Sequence, residues 1–94
     1  MRKTFPLHVE NRDPARVRDK IRQELNRFSR NRHHQPLPEG YTRWKFACKI
    51  GPSAAAAVEK PFNQLGGALE QLAASGATEV YIEIDALPDR PEPR

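Results

Sequence analysis

The sequence predicts a small α+β domain, a two-layer sandwich in which a three-stranded sheet carries two helices on one face, in the order β-α-β-α-β. Three segments alternate apolar and polar residues with the period of a strand, and two repeat apolar residues with the period of a helix. Each predicted strand has only one apolar side, so both helices are expected to cover the same face. The domain is predicted over residues 1–87, and residues 88–94 are predicted to form a flexible Pro-rich tail.

Length and composition limit the class of protein. A chain of 94 residues forms one domain with a single core. No apolar run approaches the length of about 18 residues that a membrane span needs, and the N-terminus lacks the apolar segment of a secretory signal. The single cysteine excludes an internal disulfide, so a reducing cytoplasm is the expected location.

The first strand is predicted over Arg2–Val9, with Phe5, Leu7 and Val9 on its apolar side. Pro6 has no N–H group to donate to a neighbouring strand. The sequence therefore predicts that this strand lies at an edge of the sheet.

A long amphipathic helix is predicted between Asp13 and His34. Asp13 followed by Pro14 is typical of a helix N-cap and a proline in the first turn. The apolar stripe that faces the core follows at spacings of four, four and three residues: Val17, Ile21, Leu25 and Phe28. At about 1.5 Å per residue, such a helix is about 30 Å long and spans the domain.

Two further strands and a second helix complete the predicted fold. The second strand is predicted over residues 42–50 and the third over residues 79–87, which we expect to lie in the centre of the sheet. Lys45 and Lys49 are then expected to lie opposite Glu83 and Asp85 on the open face. The second helix is predicted from Pro61 to Gly76, and Gly66 is interpreted as a point of close approach to the sheet. The remaining apolar positions predicted to face the core are Trp44, Phe46, Cys48, Ile50, Phe62, Leu65, Leu69, Leu72, Val80, Ile82 and Ile84.

The basic charge of the chain is concentrated in its first half. Residues 1–45 contain 12 basic and 5 acidic residues, a net charge of +7, whereas residues 46–94 contain 4 basic and 7 acidic residues, a net charge of −3. Arginine suits phosphate because its planar guanidinium donates two parallel hydrogen bonds. The cations predicted to contact nucleic acid lie on or beside the first helix: Arg12, Arg16, Arg18, Lys20, Arg22, Arg27, Arg30 and Arg32.

The same basic helix is also consistent with roles that do not involve nucleic acid. A solvated helix face, whose arginine stems cover the core, produces the same pattern, and an acidic protein or a membrane surface is a further possible partner. The best prediction is a non-enzymatic module that contacts RNA or DNA. The alternative is a domain that binds another protein through its open sheet face or an edge strand.

No motif in the sequence predicts catalysis, a metal site or a cofactor. Cys48 falls on the apolar side of its strand and is interpreted as a buried structural thiol. His33 and His34 are adjacent, whereas zinc-binding helices use ligands three or four residues apart. Glu83 and Asp85 share one strand face, but an open polar face offers no pocket to perturb their pKa values.

Several short motifs resemble those of a family of small uncharacterised bacterial proteins, a domain of unknown function. The motifs are Arg-Lys-Thr-Phe at residues 2–5, Leu-Pro-Glu-Gly at 37–40 and Trp-x-Phe-x-Cys-Lys-x-Gly at 44–51. The resemblance covers roughly residues 2–88. It implies an α/β fold of the predicted kind and no particular activity.

Overall fold

The computed structural model, which describes residues 1–90, has two helices packed on an antiparallel sheet of four strands. The predicted α+β class is confirmed, and the predicted number of strands is wrong by one. The order across the sheet is β1-β4-β2-β3. In chain order the elements are β1 (Arg2–Pro6), α1 (Pro14–His33), β2 (Arg43–Gly51), β3 (Val58–Glu59), a single 3₁₀ turn (Phe62–Gln64), α2 (Leu65–Ala74) and β4 (Glu79–Asp89).

The last strand, β4, lies inside the sheet, as predicted, because it pairs with β1 on one side and β2 on the other. Strand β1 lies at the edge, also as predicted. Leu7 donates its N–H to the carbonyl of Thr78 at 2.9 Å, and Met1 pairs with Ile84. Main-chain groups alternate along an antiparallel strand. The polar groups of Pro6 therefore face away from β4, and its missing N–H costs the sheet no hydrogen bond.

The core lies between one face of the sheet and both helices. Its strand residues occupy one face because the register places Phe5 opposite Val80 and Cys48 opposite Ile84. The buried side chains are Phe5, Leu7, Val17, Ile21, Leu25, Cys48, Ile50, Leu65, Leu69, Val80, Ile82 and Ile84. Phe28, Phe46, Phe62 and Leu72 pack against this core while partly buried. The two-layer arrangement predicted from one-sided strands is present.

Helix α1 begins and ends close to the predicted residues. The Asp13 carboxylate accepts a hydrogen bond from the Ala15 N–H at 3.0 Å, which satisfies one of the N–H groups at the start of the helix. Arg30, Arg32 and His33 occupy its last turn, where cations interact favourably with the helix dipole.

Several predicted boundaries are corrected by the structure. Strand β1 ends at Pro6 rather than at Val9, whose side chain is exposed instead of facing the core. The additional strand, β3, has only two residues, too few to show a period. The first residues of the predicted second helix form a 3₁₀ turn, and only the residues after it form the shorter helix α2.

Strand β4 extends through Asp89, two residues into the predicted tail. The main-chain groups of Ile84 face β1, so by alternation those of Pro88 face the same side, beyond the point where β1 has ended. A proline is tolerated there because no strand needs its N–H. Residues 91–94 of the predicted tail lie outside the described residues.

Two glycines have opposite surroundings. A Cβ atom on Gly51 would lie 2.6 Å from the Ala57 Cα and 2.7 Å from the Ala56 carbonyl oxygen, because the turn after β2 folds back over this residue. A Cβ atom on Gly67, an exposed residue in the first turn of α2, would meet no atom within 4 Å. A Cβ atom on Gly66 would lie 3.5 Å from the Arg22 side chain. Gly66 therefore approaches α1, whereas the sequence predicted an approach to the sheet.

These surroundings predict opposite effects of the same substitution. Gly51→Ala is expected to lower the free energy of unfolding by about 1–3 kcal/mol, because backbone atoms must shift. Gly67→Ala is expected to raise it by about 0.5–1 kcal/mol, because alanine favours the helix. Urea unfolding followed by circular dichroism measures both, and equal effects of the two substitutions would contradict the close approach at Gly51.

Candidate nucleic-acid interface

Four of the eight predicted cations are exposed on one face of α1 and form a row along it: Arg16, Lys20, Arg27 and Arg30. At about 100° and 1.5 Å per residue, Arg16 and Arg30 are about 21 Å apart along the axis, and the row lies within about 80° of arc. These four, together with Arg12 just before the helix, are exposed and form no ion pair within residues 1–90; we call them the α1 row: Arg12, Arg16, Lys20, Arg27 and Arg30.

A shallow open groove accompanies the first part of the α1 row, where Arg12, Arg16 and Lys20 line it. Asp13 and Asp19 also line this groove. The Asp13 carboxylate caps the helix, and the Asp19 carboxylate lies 3.4 Å from Arg22 Nη1. Both acids therefore have local partners, and the three cations against two carboxylates leave the groove with a net charge of +1.

Two predicted contact residues instead connect the helices. Arg18 Nε lies 3.0 Å from Glu70 Oε2, and the guanidinium of Arg22 binds the other oxygen of the same carboxylate. Partial burial favours the neutral form of Glu70, but the hydrogen bonds from the two arginines outweigh it, so the pKa of Glu70 is lowered. Arg18 and Arg22 thus tie α1 to α2, and their charge is partly neutralised.

A further predicted contact residue, Arg32, lies over aromatic rings. Its guanidinium carbon is 5.4 Å from the ring centroid of Trp44 and 5.8 Å from that of Phe28. Cations placed over aromatic faces are attracted by the ring quadrupole. Arg32 therefore helps to hold the end of α1 against β2.

Below Arg32, aromatic side chains join the end of α1 to β2 and the 3₁₀ turn. The Phe46 ring is central to this aromatic cluster, with ring centroids at 5.5 Å from His33, 6.3 Å from Phe28 and 5.4 Å from Phe62. Edge-on and tilted pairs of this kind stabilise beyond their buried area. The apolar period of the sequence predicted Phe28, Phe46 and Phe62 at the core, but the place of His33 among them depends on the tertiary fold.

Cys48 and His33 lie in surroundings typical of residues that stabilise the fold. Burial raises the pKa of the Cys48 thiol, and the nearby charge of Asp85 raises it further, which agrees with the predicted buried thiol. His33 Nδ1 donates to the carbonyl oxygen of Ser29 at 2.8 Å. Within residues 1–90, no three His, Cys, Asp or Glu side chains form a group that fits a metal ion.

The open sheet face carries a small polar network. The Tyr81 hydroxyl donates to Glu83 at 2.8 Å, and Arg2 Nε donates to the same carboxylate at 3.1 Å. These bonds lower the pKa of Glu83, the larger part coming from Tyr81, and keep it a carboxylate. Lys49 lies opposite Glu83 as predicted, whereas Lys45 lies opposite Leu87.

The fold and the charged helix together define a small α+β domain with a cationic face. The model of a family of unknown function (DUF6172) matches residues 1–93, and the chain belongs to this family. The predicted resemblance to a domain of unknown function is confirmed at this level. No curated protein and no solved structure matches the chain. Within residues 1–90, neither helix is long and apolar enough to cross a membrane.

The bridge at Glu70 leads to a prediction about stability. Glu70→Gln is expected to lower the free energy of unfolding at pH 7 by about 0.5–1 kcal/mol, a value that already allows for solvent screening at this half-exposed site. Because the folded protein lowers the pKa of Glu70, its contribution is present above the ordinary pKa of glutamate and is lost as the pH falls through the folded value.

Urea unfolding of the native protein and of Glu70→Gln between pH 7 and pH 3 measures this difference, which should shrink on acidification. The matched control is Glu39→Gln, at an exposed loop residue without an ion pair among the described residues. A difference at Glu70 that persists unchanged at pH 3 would rule out an electrostatic bridge.

Proposed function

We propose that the protein is a non-enzymatic module that contacts the phosphate backbone of nucleic acid through the α1 row. The observation that supports this most directly is the arrangement of its cations. They are exposed, without ion-pair partners among residues 1–90, and those on the helix follow one face over about 21 Å. A line of unpaired cations matches a polymer with regularly repeated negative charges better than it matches a single small anion.

The side chains of the row suit phosphate. Four of its five members are arginines, which bind phosphate oxygens with two parallel hydrogen bonds. The proposed binding is therefore electrostatic and strongly dependent on salt.

The proposed contact does not read base sequence. The row lies on one exposed helix face, and most contacts of such cations go to phosphate and sugar, which position a protein without specifying a sequence. The aromatic cluster packs against the core, so it is not proposed as a stacking platform. We expect RNA and DNA, single or double stranded, to bind through the same residues.

We further propose a reducing cytoplasm of a bacterial cell as the location, as the composition and the motif resemblance predict. Cys48 is the single cysteine of the chain, and its thiol is buried in the core. Such a chain needs no oxidising compartment for its stability.

Removing one cation of the row is expected to remove about one phosphate contact. Lys20→Ala and Arg27→Ala should each weaken binding of a fluorescein-labelled 20-nucleotide single strand about tenfold at 50 mM salt. The slope of log K against log salt should fall in magnitude by about 0.7 for a single strand and about 0.9 for a duplex. Fluorescence anisotropy titrations at several salt concentrations measure both quantities.

Lys60→Ala is the matched control, because it removes the same charge from an exposed residue beside β3. It should change the affinity less than twofold. Equal losses for Lys60→Ala and Lys20→Ala would show that only net charge matters. Absence of binding at 50 mM salt would remove the proposed function.

A further inference from the structure

The first half of β2 has a neighbouring strand on only one side. Strand β4 pairs with it along its whole length, whereas β3 pairs only with Lys49 and Ile50. The Lys60 N–H donates one more hydrogen bond, to the carbonyl of Cys48 at 3.1 Å. The chain then leaves the sheet at Pro61 and enters the 3₁₀ turn. No described strand covers Arg43–Ala47 on this side.

Alternation along β2 shows which main-chain groups this edge presents. The carbonyl of Cys48 faces β3, so the main-chain groups of Phe46 and Trp44 face the same side, away from β4. Within residues 1–90, neither Phe46 nor Trp44 has a main-chain partner on that side. The edge therefore presents two N–H and two C=O groups at the spacing that an added strand requires.

The opposite edge of the sheet is protected. On β1, the outward-facing Pro6 has no N–H, and Lys3 points toward the helix layer, where its Nζ lies 3.0 Å from Glu24 Oε1. Proline and inward-pointing charges are common means of preventing strand addition. The exposed part of β2 has no such proline, so the two edges of the sheet differ.

Side chains along the exposed part of β2 alternate between two chemistries. Arg43 and Lys45 lie on the open face, while Trp44 and Phe46 lie on the helix side and are only half-buried. An added strand would meet cations on one face and aromatic rings on the other. Its preferred sequence would alternate acidic and apolar residues.

A second copy of the chain is a poor occupant of this edge. Antiparallel self-pairing centred on Lys45 places this cation opposite its own copy, and pairing centred on Trp44 places Arg43 opposite Lys45. Like charges directly opposite each other destabilise paired strands. The same cations favour a strand that carries carboxylates.

We propose that Arg43–Ala47 binds an extended acidic segment of a partner protein as an added antiparallel strand. Carboxylates of the segment pair with Arg43 and Lys45, and its apolar residues contact Trp44 and Phe46. This proposal is independent of nucleic-acid binding, because it uses a different element and none of the α1 row.

The experiment uses the full chain and the blocked peptide Val-Glu-Val-Asp-Val-Glu as the probe. Trp44 is the single tryptophan of the chain, so its emission reports directly on this edge. We expect a saturable blue shift of the emission, and amide hydrogen exchange should slow at Trp44 and Phe46. The same peptide with its valines N-methylated keeps its charge but loses the strand hydrogen bonds, and it should not bind.

Two variants with the same change of charge separate the two proposals. Lys45→Glu should weaken binding of the acidic peptide about tenfold and leave oligonucleotide binding within twofold, whereas Lys20→Glu should do the reverse. Circular dichroism tests whether both variants fold. If the native protein binds the peptide but no oligonucleotide, only the proposed function is removed.

Three outcomes would overturn the strand-addition proposal. Equal binding of the N-methylated peptide would show attraction by charge alone. A concentration-dependent dimer in sedimentation, with the Trp44 emission shifted in the absence of peptide, would show that a second copy occupies the edge. A Trp44 shift with an oligonucleotide and none with the peptide would assign the edge to nucleic acid.

Discussion

The burial of β4 under both helices is the constraint on which the rest of the structure depends. Val80, Ile82 and Ile84 are completely buried, and they lie on the same face of the central strand. Because side chains of a strand alternate between faces, this burial sets the register of β1 and β2 on either side. It also directs the apolar stripe of α1 inward, so the opposite side of that helix faces the solvent.

The features that the sequence predicted depend on local patterns. The proline at residue 6 predicted an edge strand, and Asp13 before Pro14 predicted the start of α1; the structure shows both. Strand β3 was not predictable from a period, because two residues show none. The extension of β4 through Pro88 depends on which side of the strand lacks a neighbour, and a single sequence does not contain that information.

The candidate site illustrates the same limit. The spacing of the basic residues placed them on α1, but their partners come from distant parts of the chain. Glu70, on α2, engages Arg18 and Arg22, and Trp44, on β2, lies beneath Arg32. These contacts join residues more than ten positions apart and depend on how the helices pack. The division of eight cations into an exposed row and a set of structural contacts is therefore a result of the tertiary structure.

The uneven lengths of the strands have a consequence for how the protein opens. Near Val80 and Ile82 the sheet has strands on both sides of β4, whereas near Leu87 it is a two-stranded ribbon formed by β2 and β4 alone. Two-stranded ribbons are marginally stable in isolation, and opening free energies vary along a structure with the density of its contacts. We therefore expect local opening to begin at the two-stranded end of the sheet, where the outward main-chain groups of Trp44 have no partner within residues 1–90.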